Sequence, residues 1–159
     1  MEQRYTSANT SINSTKLPYV FSKVAFPKGR KITDYGCGKH IKHIKEKVNA
    51  QGCEYVPYDP FNLPDSKFPK ENDITVCSNV LNVIAENDVI ENIIKEMCEA
   101  SRIVLITVYE GNGSGVGKVT GADQYQRNEK TKVYASRIRE MGYEVTVKNR
   151  IIRVEGRVA

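Results

Sequence analysis

The run Asp34-Tyr35-Gly36-Cys37-Gly38 constrains this chain more than any other. It follows the β-prone Lys31-Ile32-Thr33 and precedes a segment of helical periodicity. An acid, two glycines at alternate positions and then a helix is how a parallel α/β sheet makes its first ligand turn. Glycine takes the sharp turn and lets a ligand come close to main-chain N–H groups. A nicotinamide-type G-x-G-x-x-G fingerprint would need a third glycine where this chain has Ile41, so that version of the turn fails.

The next segments continue a β-α-β unit. Ile41, Ile44 and Val48 recur at i, i+3 and i+7, which predicts an amphipathic helix stopped by Gly52. Cys53 to Tyr58 reads as a second strand ending at Asp59. An acid at that tip can accept hydrogen bonds from both hydroxyls of a ribose. Pro60 and Phe61 follow, and an aromatic there can lie beside an adenine or plug the core. The stretch from Asn62 to Asn72 holds Leu63-Pro64 and Phe68-Pro69 and has no room for a further helix and strand.

Ile74 to Leu81 is a continuous β-prone run of the kind that forms a central parallel strand buried on both faces. Ser78 and Asn79 interrupt it near its carboxyl end, where open α/β sheets present ligand contacts. Val89, Ile90, Ile93, Ile94, Met97 and Cys98 make a helical stripe, and Arg102 to Tyr109 a second buried strand. Residues 111–128 are then long, polar and glycine-rich. They mimic a phosphate loop, but Asn112 and Val119 stand where that motif needs a glycine and a hydroxyl. A loop this long at a strand tip is expected to be a lid or substrate loop. A last helix opening at Asn128 and a hairpin, Tyr143–Val147 and Ile151–Val154 around Asn149-Arg150, end the chain.

Together these runs resemble the class I S-adenosylmethionine-dependent methyltransferases over residues 30–156. Asp34, Gly36 and Gly38 match that family's first motif, Asp59 its ribose acid, and Asp73 to Leu81 its fourth motif. His40 departs from it, since a further glycine usually stands there. More narrowly, Tyr58-Asp-Pro-Phe61, Ser78-Asn-Val-Leu-Asn-Val-Ile84 and Thr107-Val-Tyr-Glu-Gly111 look like small methyltransferase-like proteins of phages and mobile elements. They are also similar to methyltransferases associated with DNA phosphorothioation. The resemblance implies an α/β, Rossmann-like, mostly parallel sheet with a C-terminal antiparallel hairpin strand and a third β-α unit reduced or missing. It implies S-adenosylmethionine as cofactor, held by Asp34, Tyr35, Gly36, Gly38, Asp59, Pro60, Phe61, Ser78 and Asn79. The Asp/Asn-Pro-Pro-aromatic tetrapeptide of enzymes that methylate exocyclic amino groups in DNA is absent.

Methyl transfer from a sulfonium relies mainly on alignment of the reactants. A hydroxyl acceptor would also need a base, whereas an amine or thiolate would not. Glu110 and Asp123 are the acids nearest the expected mouth, and Tyr125 can stack on an acceptor. With 24 Lys and Arg against 19 Asp and Glu, the net charge is +5. Arg127, Lys130, Lys132, Arg137 and Arg139 gather just after Tyr125 in sequence, so a nucleic acid or nucleotide acceptor is expected. Cys37, Cys53, Cys77 and Cys98 lie far apart, which fits reduced thiols in a cytoplasmic protein. Neither a metal site nor a membrane span is expected. Residues 1–29 read as an N-terminal extension and 30–159 as the cofactor-binding domain, with Thr6 to Thr15 either a polar tail or a flap over the ligand mouth. Two rivals stand beside the enzyme: a module that binds the cofactor without catalysis, and an oxidoreductase, against which the broken fingerprint counts.

Overall fold

The structure, a computed structural model, describes residues 2–7 and 16–159. Its elements are α1 (Tyr19–Lys23), β1 (Lys31–Tyr35), α2 (Lys42–Ala50), β2 (Glu54–Tyr58), β3 (Asn72–Ser78), α3 (Asn87–Glu99), β4 (Ser101–Thr107), β5 (Lys118–Gly121), β6 (Gln124–Gln126), α4 (Thr131–Glu140), β7 (Val145–Lys148) and β8 (Ile151–Glu155). Six strands form one sheet in the order β2-β1-β3-β4-β8-β7. The first four are parallel, and β8 runs antiparallel to both β4 and β7. This is the trimmed Rossmann-like sheet with a closing hairpin that the sequence predicts.

Side chains alternate along the strands and divide the core in two. Val104 and Ile106 of β4 pack with Ile90, Ile94 and Met97 of α3 and with Tyr134 and Ile138 of α4. Leu105 joins the other cluster, with Ile44 and Val48 of α2. Val20 and Phe21 of α1 are fully buried in that second cluster, so the apolar patch upstream of β1 docks on the sheet. Residues 8–15, the larger part of the polar stretch, lie outside the described residues.

β2 is an edge strand because the chain after it turns back instead of building another unit. Ser66 Oγ accepts from the Asp59 N–H at 3.0 Å, and Leu63 N–H donates to the Asp59 carbonyl at 2.8 Å. Phe68 from this turn-back packs against Tyr35 and Tyr58, with ring centroids 5.2 and 5.6 Å away. One aromatic thus caps the edge that a third unit would otherwise cover.

Three expected boundaries move. The run after Asp73 stops being a strand at Ser78, because Asn79 adopts φ 56° and a short 3-10 turn, Leu81–Val83, follows. The last helix begins at Thr131 rather than Asn128, which is itself left-handed at φ 61°. Residues 111–128 are not an open loop: after a glycine-rich turn they form an antiparallel hairpin, β5 and β6.

Asp34 is a buried acid within this frame, 2% exposed, with Tyr55 Oη donating to its Oδ2 at 2.6 Å. Burial pushes its carboxyl up to about 7, opposed by the Tyr55 hydrogen bond and reinforced by the nearby charge of Asp59. An unfolded Asp titrates near 3.8, so the folded chain holds the extra proton between about pH 4 and pH 7, and stability falls as pH rises through that window. Urea denaturation of wild type and Asp34→Asn at both ends of the window should show the wild type losing more stability at the higher pH. Equal losses in the two proteins would contradict this account of Asp34. Phe21→Ala should cost about 3–5 kcal/mol in the same measurement; an unchanged midpoint would mean that α1 contributes nothing to the core.

Candidate functional site

The first turn is built almost wholly from its own chain. Gly36 and Gly38 both have φ 76°, a conformation that excludes ordinary side chains. A Cβ on Gly36 would stand 2.4 Å from Val80 Cγ2, so that glycine is also required by close packing. A Cβ on Gly38 would meet nothing within 4 Å, because that position faces open space. The turn's N–H groups are occupied, contrary to the expectation that a ligand uses them. Gly36 and Cys37 donate to the Tyr58 carbonyl at 2.7 and 3.2 Å. Gly38 N–H donates to Asp59 Oδ2 at 2.9 Å.

Asp59 is 5% exposed and accepts four hydrogen bonds. Oδ1 takes the N–H groups of Phe61 and Asn62, each at 2.9 Å. Oδ2 takes Gly38 N–H and Asn62 Nδ2, the latter at 3.0 Å. A carboxylate has about four lone-pair sites, so all are in use. The carboxylate therefore fastens the β1 turn to the β2 tip, and a ribose can reach it only by displacing a donor. Asn62 Nδ2 is the side-chain donor among the four and the one free to swing away.

A cavity of about 910 Å³ opens at the carboxyl ends of β1, β2 and β3. Tyr35, Gly36, Gly38, Asp59, Pro60, Phe61, Ser78, Asn79 and Tyr125 line it. The structure thus brings together most of the residues expected at the site. Asp34 is not in the lining; it lies beneath the turn, bonded to Tyr55.

Neither expected acid reaches this cavity. Glu110 Oε2 accepts the Thr131 N–H at 2.7 Å and so caps the start of α4. That bond holds its carboxyl below the usual range. Asp123 sits at the tip of the β5–β6 hairpin with φ 57°. Its carboxylate accepts the Thr6 hydroxyl and, at 3.0 Å, the Thr6 N–H, which lower its pKa. Ser7 N–H donates to the Asp123 carbonyl at 2.9 Å, so residues 2–7 are clasped to the hairpin tip. Thr6 and Ser7, the two residues of the Thr6–Thr15 stretch that are described, line the cavity.

Arg127 is also not what the basic stretch suggests. It is 8% exposed, and its guanidinium donates to the carbonyls of Ile84 and Ala85, to Asn87 Oδ1 and to Glu129. Its job is to fix the hairpin base to the segment after β3. Arg137 pairs with Glu91 at 3.5 Å, and Arg139 donates to the Val145 carbonyl at 3.4 Å. Much of the expected phosphate grip is therefore bound within the chain.

Sequence reasoning missed Asn82 and Gln126 in the lining. Their signal is weak, since an amide inside or beside an apolar run has many ordinary uses. Among the described residues no cluster of metal-ligating side chains exists, and no helix is long and apolar enough to cross a membrane.

No protein-family model matches the chain, and no curated protein matches it. Solved structures do. The 1,6-didemethyltoxoflavin-N1-methyltransferase of Burkholderia thailandensis, solved with 1,6-didemethyltoxoflavin and S-adenosylhomocysteine bound, superposes with TM-score 0.66 at 12% identity. That match covers 82% of this chain and 72% of the other. A TehB-like S-adenosylmethionine-dependent methyltransferase of Corynebacterium glutamicum superposes with TM-score 0.50 at 16% identity, covering 96% and 88%. At such identities the likeness is one of fold: this chain has the Rossmann-like fold found in S-adenosylmethionine-dependent methyltransferases.

Proposed function

We propose that the chain binds S-adenosylmethionine in this cavity and transfers its methyl group to an acceptor held beside it. The observation that carries the reading is the pairing of Gly38 with Asp59. A glycine facing open space stands next to a buried carboxylate, both at the carboxyl ends of neighbouring parallel strands. The residues fit the cofactor. Gly38 leaves room for close approach, Asp59 offers ribose an acceptor once Asn62 withdraws, and Phe61, 47% exposed, can cover an adenine. Ser78 Oγ is a buried hydroxyl on the lining with no partner among the described residues. When bound, S-adenosylmethionine supplies an electrophilic methyl on a sulfonium that needs no protonation to leave. This chain's residues contribute alignment and exclusion of water.

The neighbour solved with S-adenosylhomocysteine supports the same cofactor here, through fold alone. The likeness to phage and phosphorothioation-associated proteins rests on three short runs of sequence. A nucleic acid or nucleotide acceptor keeps the exposed Lys130 and Lys132 in its favour but loses Arg127.

The absence of Glu110 and Asp123 from the lining, each engaged with Thr131 or Thr6, favours a second reading, a module that binds the cofactor without transferring its methyl group. Incubating the protein with methyl-labelled S-adenosylmethionine and extract decides between them. Label appearing in any acceptor supports the enzyme, and tight binding without transfer supports the module.

Calorimetric titration with S-adenosylhomocysteine tests the site. Asp59→Ala should weaken binding by about 1–3 kcal/mol, or roughly tenfold to more than a hundredfold. Asn62→Ala should bind as tightly as wild type or tighter, because the amide that competes for Asp59 is gone. Wild-type affinity in folded Asp59→Ala would defeat the ribose assignment, and weaker binding in Asn62→Ala would defeat the displacement.

A further inference from the structure

We propose that the methyl acceptor is a small, flat nitrogen heterocycle bearing an N–H donor, held under the β5–β6 hairpin with its N–H on Asn82 Oδ1; this rests on the cofactor reading above.

The argument begins with a chain of amides whose sense is fixed at one end. Gln126 Nε2 donates to the Tyr109 carbonyl at 3.0 Å. A main-chain carbonyl only accepts, so the Gln126 amide must turn its NH₂ that way and present Oε1 on the other side. Asn82 Nδ2 donates to that Oε1 at 3.2 Å. Asn82 is thereby left with Oδ1, a carbonyl oxygen that needs a donor. Asn82 is 2% exposed and lines the cavity, and its Oδ1 has no partner among the described residues. Buried polar atoms are nearly always paired, so an orphan with a fixed sense on a cavity wall marks where a ligand group is missing. Ser7 Oγ, on another lining residue, 8% exposed, also has no partner among the described residues. One orphan demands a donor and the other accepts either role. A ring amide, with its N–H beside its C=O, supplies both.

The remaining lining sets shape and size. Tyr125 stacks on Tyr5 with centroids 5.4 Å apart and planes 9° apart. Tyr125 lines the cavity and Tyr5 does not, so the pair makes a braced aromatic wall. Val83, Val89 and Ile93 add aliphatic surface. Flat, apolar walls with a few fixed polar atoms suit a heteroaromatic ring. Residues 2–7 and the hairpin share the lining and are joined through Ser7 and Asp123, so a polymer could enter there only by parting them.

The chemistry agrees with this lining. Apart from the exposed Glu2, the hairpin end of the lining holds amides, hydroxyls and apolar groups, while Lys16, Lys39, His40, His43 and Asp59 lie at the glycine-turn end. Apart from Glu2, no carboxylate among the described residues at that end of the lining stands ready to deprotonate an alcohol. An imine-type nitrogen of the same ring needs no such base: its in-plane lone pair forms the new N–CH₃ bond, the S–CH₃ electron pair stays on sulfur, and the neighbouring ring N–H, made acidic by the positive charge the ring has gained, gives its proton to water as the product leaves.

The test is binding to protein saturated with S-adenosylhomocysteine, read by quenching of lumazine fluorescence. Lumazine, a flat ring system with amide N–H groups, should bind. The analogue 1,3-dimethyllumazine, which lacks those donors, should bind at least tenfold more weakly. Asn82→Ala and, separately, Ser7→Ala should weaken lumazine binding while leaving S-adenosylhomocysteine affinity unchanged; Ser7→Ala serves if the Asn82 variant misfolds. Equal binding of the two lumazines would overturn the proposal, as would no lumazine binding at millimolar concentration. So would a preference for catechol or a single-stranded oligonucleotide in competition. Failure of S-adenosylhomocysteine itself to bind would instead remove the cofactor reading on which the proposal stands.

Discussion

The Asp59 carboxylate holds the site together. Through Gly38 N–H it fastens the first turn to the second strand, and through Phe61 and Asn62 it shapes the turn-back that ends the edge of the sheet. The four donors satisfy the lone-pair sites of this carboxylate at 5% exposure. Its neighbour Asp34, with the Tyr55 hydroxyl beside it, is instead driven towards the protonated form. Two acids on adjacent strands thus take different roles because their donors differ. One ties the turn to the strand tip, and the other is part of the floor.

The far side of the cavity depends on a second buried charge. Arg127 fills the gap between the hairpin base and the segment after β3, where the Ile84 and Ala85 carbonyls would otherwise lack donors. With the hairpin so anchored, Gln126 and Asn82 fall into register, and Arg127 N–H itself donates to the Asn82 carbonyl at 2.9 Å. Asp123 at the other end of the hairpin gathers the first residues of the chain. The roof is therefore tied at both ends, and its polar side chains are held where a ligand could use them. Pre-arrangement of this kind lets alignment replace acid–base chemistry in a methyl transfer.

Much of the sheet was legible because parallel strands write themselves as short apolar runs between glycine turns. Asp34 to Gly38, Asp59 and the last hairpin stand where the sequence put them, and so does the Ile74 run as far as Ser78. The lack of a third unit was legible too, from Pro64 and Pro69 in a segment too short for one. What was not legible depends on contacts distant in sequence. Glu110 and Asp123 look like free acids at a mouth until their partners, Thr131 and Thr6, are seen. Arg127 reads as part of a basic stretch until it is found buried against residues more than forty positions earlier. The hairpin was hidden because its strands are short and glycine-rich and its pairing is irregular between Val119 and Gly121. Asn82 carried little signal, since its meaning comes from Gln126 and Tyr109.

The central claim is that the Gly38–Asp59 pair forms a cofactor site from which Asn62 yields. A crystal structure with S-adenosylhomocysteine tests it most directly. The account predicts the ribose hydroxyls on Asp59, the Asn62 amide swung away, and the Gly38 N–H still bound to the carboxylate. Ligand density elsewhere, or a ribose distant from an undisturbed Asp59–Asn62 pair, would contradict it.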